Sequence, residues 1–158
     1  MTPAIRYLEK HDIPHRILRY EHDPNAESYG LEAAEKLGLE AEQVFKTLVV
    51  SLDGDNLGCV LIPVSHTMNL KAVAKAFSAK KAGMAEPKIV EKTTGYVLGG
   101  VSPIGQKKRV PCAIDVSAAE LNEVYVSAGR RGLEIALSPH TLAQVCQAGF
   151  RKLRNDKV

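Results

Sequence analysis

The chain has 158 residues, 45% of them hydrophobic and 25% charged, with a formal net charge of +3. That length allows a sizeable core, and the composition is that of an ordinary globular domain, not a disordered or collagenous chain. The mild basic balance permits a nucleic-acid partner without demanding one. No apolar run approaches a membrane span, and MTPAIRYLEK lacks the apolar core of a signal peptide, so a cytoplasmic protein away from the membrane is expected. Cys59, Cys112 and Cys146 are widely spaced, odd in number and match no metal spacing, which predicts buried free thiols.

Thr2-Pro3 gives a cap and a first-turn proline for a helix that ends near His11. His15 to Tyr20 alternates like a strand, and Glu21 to Asn25 is a polar loop. Ser28 caps a short helix closed by Gly38. Gln43 to Leu52 and Cys59 to Val64 are strands around the Asp53-Gly54-Asp55-Asn56 turn, the most secure pairing in the chain. Asn69 to Ala79 is helical, as is PKIVEKTT up to Gly95. Gly99 to Gly105 is punctuated too heavily for either state. Pro111 to Val116 is a strand, and Ser117 caps a short helix through Leu121. Strands at Glu123–Ser127 and Leu133–Leu137 follow, then a helix opened by Ser138-Pro139. The charged tail from Arg151 to Val158 is expected to fray. The whole predicts one domain over residues 1–158, of mixed α/β class. Its expected sheet is curled, barrel-like and largely antiparallel, with six or seven strands flanked by helices.

The chemistry is marked first by what is missing. No nucleophile elbow, Walker loop or HExxH is present, and the five histidines are scattered. Two features stand out. Lys46 places an ammonium in the apolar run VFKTLVVSL, where it either snorkels from a strand end or fills a pocket that needs a positive charge. Gly99 to Gly105 lets backbone amides approach a ligand, and the basic run Lys107-Lys108-Arg109 after it suits an anionic one.

Four stretches carry a family resemblance: YEHDP at Tyr20 to Pro24, VFKTLVV at Val44 to Val50, TGYVLGGVSPIGQKKR at Thr94 to Arg109, and YVSAGRRGLEIAL at Tyr125 to Leu137. With them the chain resembles the YbaK-type aminoacyl-tRNA deacylases, relatives of the editing domain of bacterial prolyl-tRNA synthetases, over essentially its whole length. It looks closest to the branch that removes cysteine from Cys-tRNA(Pro). The resemblance implies a deacylase without metal or cofactor, acting on the acceptor end of tRNA(Pro) and on Cys-tRNA(Cys) as well. Prolyl-tRNA synthetase is the implied partner, lending specificity to a domain with no tRNA-reading appendage of its own. Lys46 would be the catalytic residue. Tyr20, Tyr29, Thr47, Ser127 and Glu134, with Gly99, Gly100, Ser102 and Pro103 of the glycine-proline loop, would bind substrate. Glu134 stands where the family pattern has aspartate, and Tyr29 where it has a plain aromatic, whose added hydroxyl would need a partner.

The same resemblance accounts for the missing nucleophile. In this branch the substrate's own thiol attacks the neighbouring ester carbonyl and releases a thiolactone, so the protein need only hold geometry and stabilise the oxyanion. Two alternatives remain open on the sequence: a non-catalytic module that holds a nucleotide or acceptor end, and the alanine-specific branch of the same family. Lys46 and Thr47 also pose a geometric problem. Neighbours in a regular strand point to opposite faces, so both can meet one ligand only at a strand end or bulge.

Overall fold

The computed structural model describes residues 1–157. Its helices begin where the capping residues stand. Thr2 caps α1 (Pro3–Lys10), Ser28 caps α2 (Tyr29–Leu37) and Asn69 caps α3 (Leu70–Ala76). Pro87 opens α4 (Pro87–Thr94), and Ser138 caps α5 (Pro139–Cys146). Each side-chain cap accepts a hydrogen bond from an N–H that the first helical turn leaves unpaired. No helix among the described residues is long and apolar enough to cross a membrane.

The strands are β1 (Arg16–Arg19), β2 (Phe45–Leu52), β3 (Asn56–Pro63), β4 (Ala82–Met84), β5 (Cys112–Asp115), β6 (Val124–Arg130), β7 (Leu133–Leu137) and β8 (Gly149–Arg151). Four of their six pairings are antiparallel, and β3–β5 and β5–β8 are parallel. The expected single curled sheet is instead two sheets, ordered β1-β7-β6 and β4-β2-β3-β5-β8, and no closed barrel forms among the described residues. The sheets meet at a parallel bridge between Val44 and Tyr125.

Strand parity shows where the core lies. Phe45 and Val49 of β2, Leu61 of β3, Val126 and Ala128 of β6, and Leu133 and Ile135 of β7 share one buried cluster with Leu8 of α1 and Leu142 of α5. These are alternate positions, so one face of each sheet is turned toward the other. The opposite face of the five-stranded sheet, with Val50, Val60 and Ile62, packs on Val73 and Ala74 of α3. The opposite face of the three-stranded sheet, with Tyr125 and Ala136, packs on Ala33 and Ala34 of α2. Each helix thus covers the outer face of one sheet.

Three local expectations change. The residues after β5 form a 3-10 helix (Val116–Glu120) capped by the Asp115 carboxylate, not a helix capped by Ser117. The short strands β4 and β8 carry too few residues for a periodic signal. The tail does not fray: Leu153 is wholly buried, and the N–H groups of Leu153 and Arg154 both donate to Asp115 Oδ1, at 2.9 and 3.1 Å. Val158 lies outside the described residues.

Candidate functional site

From the Val44–Tyr125 bridge onward, β2 and β6 run in different sheets, and a cleft of about 330 Å³ opens between them. One wall is Phe45, Lys46, Thr47 and Leu48 of β2. The other walls come from Ser127 and Arg130 of β6, Glu134 of β7, Tyr20, the start of α2 at Tyr29, and Gly99 and Val101 of the glycine-proline loop.

Four consecutive β2 residues line one cleft because this half of the strand has a free edge. β4 pairs only with Val50–Leu52, while β3 pairs along the whole of β2. Main-chain direction on the free edge is fixed on both sides of the gap. Gln43 C=O accepts from Tyr125 N–H at 3.0 Å, and Val49 C=O accepts from Ala85 N–H at 3.1 Å. Alternate residues of a strand present their main-chain groups to the same side, so the N–H and C=O of Thr47 face the open edge. The register of β2 is unbroken. Lys46 and Thr47 therefore meet one cleft at an open edge near the strand's start, without a bulge in β2. The bulge lies in β6, between Ser127 and Arg130, where Gly129 N–H donates to Ser127 Oγ at 3.1 Å.

The polar groups of the cleft are sparsely satisfied. Lys46 is half-buried, burial lowers its pKa, and it forms no ion pair among the described residues. Glu134 is only 6% exposed, and burial alone pushes its carboxyl up to about 8. At neutral pH it is therefore mostly the neutral acid, and it forms no ion pair with Lys46. Thr47 Oγ1 is buried without a partner. Burial raises the Tyr20 phenol, against a hydrogen bond from the Gly132 backbone and together with the nearby Glu134. Tyr29 is 37% exposed, so its hydroxyl needs no buried partner.

The loop that carries YEHDP into α2 is tied down by Glu32. Desolvation pushes this carboxyl up, but hydrogen bonds from His22, the Asp23 N–H and Lys36 outweigh it and hold Glu32 below the usual carboxylate range. The result fixes Tyr20 and Tyr29 at the two ends of one anchored segment.

Of the ten residues expected at the site, Lys46, Tyr20, Tyr29, Thr47, Gly99, Ser127 and Glu134 line the cleft, and Gly100, Ser102 and Pro103 do not. Gly100 is buried against the Arg130 backbone and spends its N–H on Val97 C=O. Ser102 is wholly buried, with its Oγ accepting from Ile104 N–H at 3.3 Å. Pro103 lies on a second, smaller cavity of about 90 Å³ with Cys59, Cys112 and Cys146. There its carbonyl accepts the Cys146 thiol at 3.5 Å. None of these thiols lines the cleft, and hydrogen bonding to Cys146 and Cys59, with burial, raises the Cys112 thiol well above its ordinary value and so disfavours its thiolate.

The basic run Lys107-Lys108-Arg109 also stands away from the cleft; the arginines that line it are Arg130 and Arg131. A reading by composition passes over this pair as a turn between strands. The signal was its place in AGRRG, between Ser127 and Glu134, which fixes it beside both.

The aminoacyl-tRNA editing domain family model matches residues 23–145. The "Putative Cys-tRNA(Pro)/Cys-tRNA(Cys) deacylase EbsC" of Enterococcus faecalis is 37% identical over 155 residues, which is 96% of this chain and 92% of that protein. A proline–tRNA ligase of Shouchella clausii is 30% identical over 118 residues, covering 75% of this chain and 20% of the ligase. Among solved structures, one titled "Crystal structure of a putative trans-editing enzyme for prolyl tRNA synthetase" shares the fold. Its TM-score is 0.85 at 21% identity, over 98% of this chain and 99% of that one. With the family model spanning most of its length and a full-length relative above the 30% level, the chain belongs to the aminoacyl-tRNA editing domain family.

Proposed function

We propose that the chain removes cysteine from Cys-tRNA(Pro), and from Cys-tRNA(Cys), with the substrate's own thiol as nucleophile and with prolyl-tRNA synthetase as its partner. One observation carries the reading: among the described residues the cleft around Lys46 is lined by neither histidine nor cysteine, and the oxygens of its two serines, Ser28 and Ser127, accept backbone hydrogen bonds from Leu31 and Gly129. Among the described residues that line it, no hydroxyl is hydrogen-bonded to a side-chain base, as the nucleophile of an enzyme-derived acyl transfer would be. The similarity to EbsC supports cysteine as the amino acid, and the similarity to proline–tRNA ligases supports the partner.

In this mechanism the cysteinyl sulfur attacks its own ester carbonyl. A C–S bond forms, the C–O bond to the terminal ribose breaks, and the thiol proton ends on the ribose oxygen. The products are the thiolactone, which water opens, and free tRNA. The protein's part is positional and electrostatic. The Lys46 ammonium, which forms no ion pair among the described residues, stabilises the developing oxyanion. The Thr47 N–H at the free strand edge is a main-chain donor, a role Gly100 of the glycine loop does not fill because its N–H donates to Val97 C=O. Thr47 Oγ1 and the neutral Glu134 carboxyl are the groups left to orient the aminoacyl moiety.

Deacylation of Cys-, Ala- and Ser-tRNA(Pro) in parallel tests the proposal. Loss of the cysteinyl ester alone is expected. Loss of the alanyl ester assigns the alanine branch, and tight binding with no ester loss assigns a holding module. Lys46→Ala should lower the rate by about a hundredfold or more, the scale of losing one oxyanion-stabilising group. Serine at Cys59, Cys112 or Cys146 should leave the rate largely intact. Full activity in Lys46→Ala would refute the mechanism.

A further inference from the structure

Three cations, Lys46, Arg130 and Arg131, line the cleft, and none forms an ion pair among the described residues. Two carboxyls share the walls, Glu27 and Glu134, and Glu134 is mostly uncharged at neutral pH. The site therefore has positive charge that the protein does not compensate.

Arg131 is the most organised of the three. Its guanidinium carbon lies 3.6 Å from the centre of the Tyr29 ring. One terminal nitrogen, Nη2, donates to Ala26 C=O at 3.3 Å. Its Nε is buried and has no partner. Gly99 packs against the same tyrosine ring, so closely that a Cβ there would come within 2.2 Å of it. A solvated surface arginine is not immobilised this way. Holding the long side chain costs rotamer entropy, and a buried N–H without an acceptor costs more. Both costs are offset if an anion completes the site. A planar guanidinium fixed on an aromatic face suits a phosphate, which it can meet with two parallel hydrogen bonds.

Size locates that phosphate. A cleft of about 330 Å³ is at the small end for ligand sites, enough for an aminoacyl group and part of its ribose. The next charged group along the nucleic acid is the phosphate attached through the ribose C5′, and the lining residues open to solvent that suit it are Arg130, exposed, and Arg131, partly so.

We infer that Arg131, with Arg130 beside it, forms a phosphate subsite that takes the phosphodiester on the 5′ side of the esterified terminal nucleoside. The inference rests on the editing reading for the identity of the ligand and adds the residues that hold its backbone. Arg131 is here a binding residue for a non-reacting part of the substrate, and its effect should fall on KM more than on kcat.

The test compares two small esters, 3′-O-cysteinyl adenosine and the same compound carrying a 5′-methyl phosphate, which differ by one negative charge. The wild-type protein should show a KM about tenfold lower for the phosphorylated ester, the effect of one charge-assisted hydrogen bond. The preference should weaken as salt is raised. In Arg131→Gln the ratio of the two KM values should fall close to one, and Arg131→Lys, which keeps the charge but not the planar fork, should fall between. Because each variant is compared with itself across two substrates, a general loss of activity does not mimic the result. Equal KM values for the two esters in the wild type, or an unchanged ratio in Arg131→Gln, would overturn the subsite. If neither ester is cleaved, the deacylase reading fails separately. The subsite is then read by NMR titration with adenosine and adenosine 5′-methyl phosphate. Tighter binding of the phosphate that Arg131→Gln abolishes supports it, and equal binding of both ligands by the wild type overturns it.

Discussion

Desolvation acts on Lys46 and Glu134 in the same sense, toward the uncharged form, and neither forms an ion pair among the described residues. The outcomes differ with depth. Lys46 is half-buried, whereas Glu134 is almost wholly so. The extra methylene of glutamate, where the family pattern has aspartate, ends in a buried carboxyl that is mostly protonated at neutral pH. Its folded pKa of about 8 stands above the ordinary 4.5. Between those values the native state holds a proton that the unfolded chain has released. The associated stability is therefore fully present below pH 4.5 and is lost as pH rises toward 8. Glu134→Gln keeps the shape and the donor without the titration. Its stability should exceed that of the wild type at pH 8 by on the order of a few kcal/mol, with the gap closing toward pH 5. Denaturant unfolding at the two pH values measures this, and parallel pH dependences for the two proteins would contradict it.

Gly99 shows how one loop residue sets the geometry of a whole element. Its φ is +88°, and an added Cβ would lie 2.2 Å from the Tyr29 ring. Gly99→Ala should therefore push the loop off α2, costing about 1–3 kcal/mol of stability and opening the cleft, with deacylation lowered at least tenfold. Tyr29→Ala in the same chain removes the clash but not the backbone strain, so it should recover part of the stability and little of the activity. Thermal unfolding and rate measurements on the single and double variants separate the two. Of this loop, sequence shows the glycines and their closeness to a ligand site. It does not show that Gly99 and Val101 reach the cleft while Gly100, Ser102 and Pro103 turn away from it, because that choice depends on contacts of Gly100 with Arg130 and of Pro103 with Cys146, far along the chain. The β2–β3 hairpin was legible for the opposite reason. Its turn residues, alternation and partner strand all lie within 20 residues. The free edge of β2 was not, since it depends on β4 being too short to reach Thr47.

At the scale of the whole molecule, the C-terminal tail is docked on the five-stranded sheet by groups the sequence offers only singly. Asp115 is one charged residue at the end of an apolar strand, and Leu153 one apolar residue in a charged tail, so neither forms a pattern. In the structure the wholly buried Leu153 joins the core beneath α3, and Asp115 holds it there. Asp115 Oδ1 accepts the N–H groups of Leu153 and Arg154, and Oδ2 accepts the N–H of Ser117 at 3.1 Å and its hydroxyl at 2.7 Å. Asn155 N–H then donates to Thr67 C=O at 2.9 Å, tying the tail to the segment that precedes α3. Asp115→Ala removes four acceptor contacts at once and leaves buried N–H groups unpaired, which predicts a loss of about 3–5 kcal/mol. Leu153→Ala leaves the carboxylate satisfied but creates a cavity, which predicts about 2–4 kcal/mol. Because Asp115 orders the backbone that positions Leu153, the two losses should not add: with the tail released by Asp115→Ala, truncating Leu153 should cost less than it does alone. A double-mutant cycle by chemical denaturation measures this coupling. Strict additivity would mean that the tail stays docked without Asp115, and that the apolar contact alone holds it.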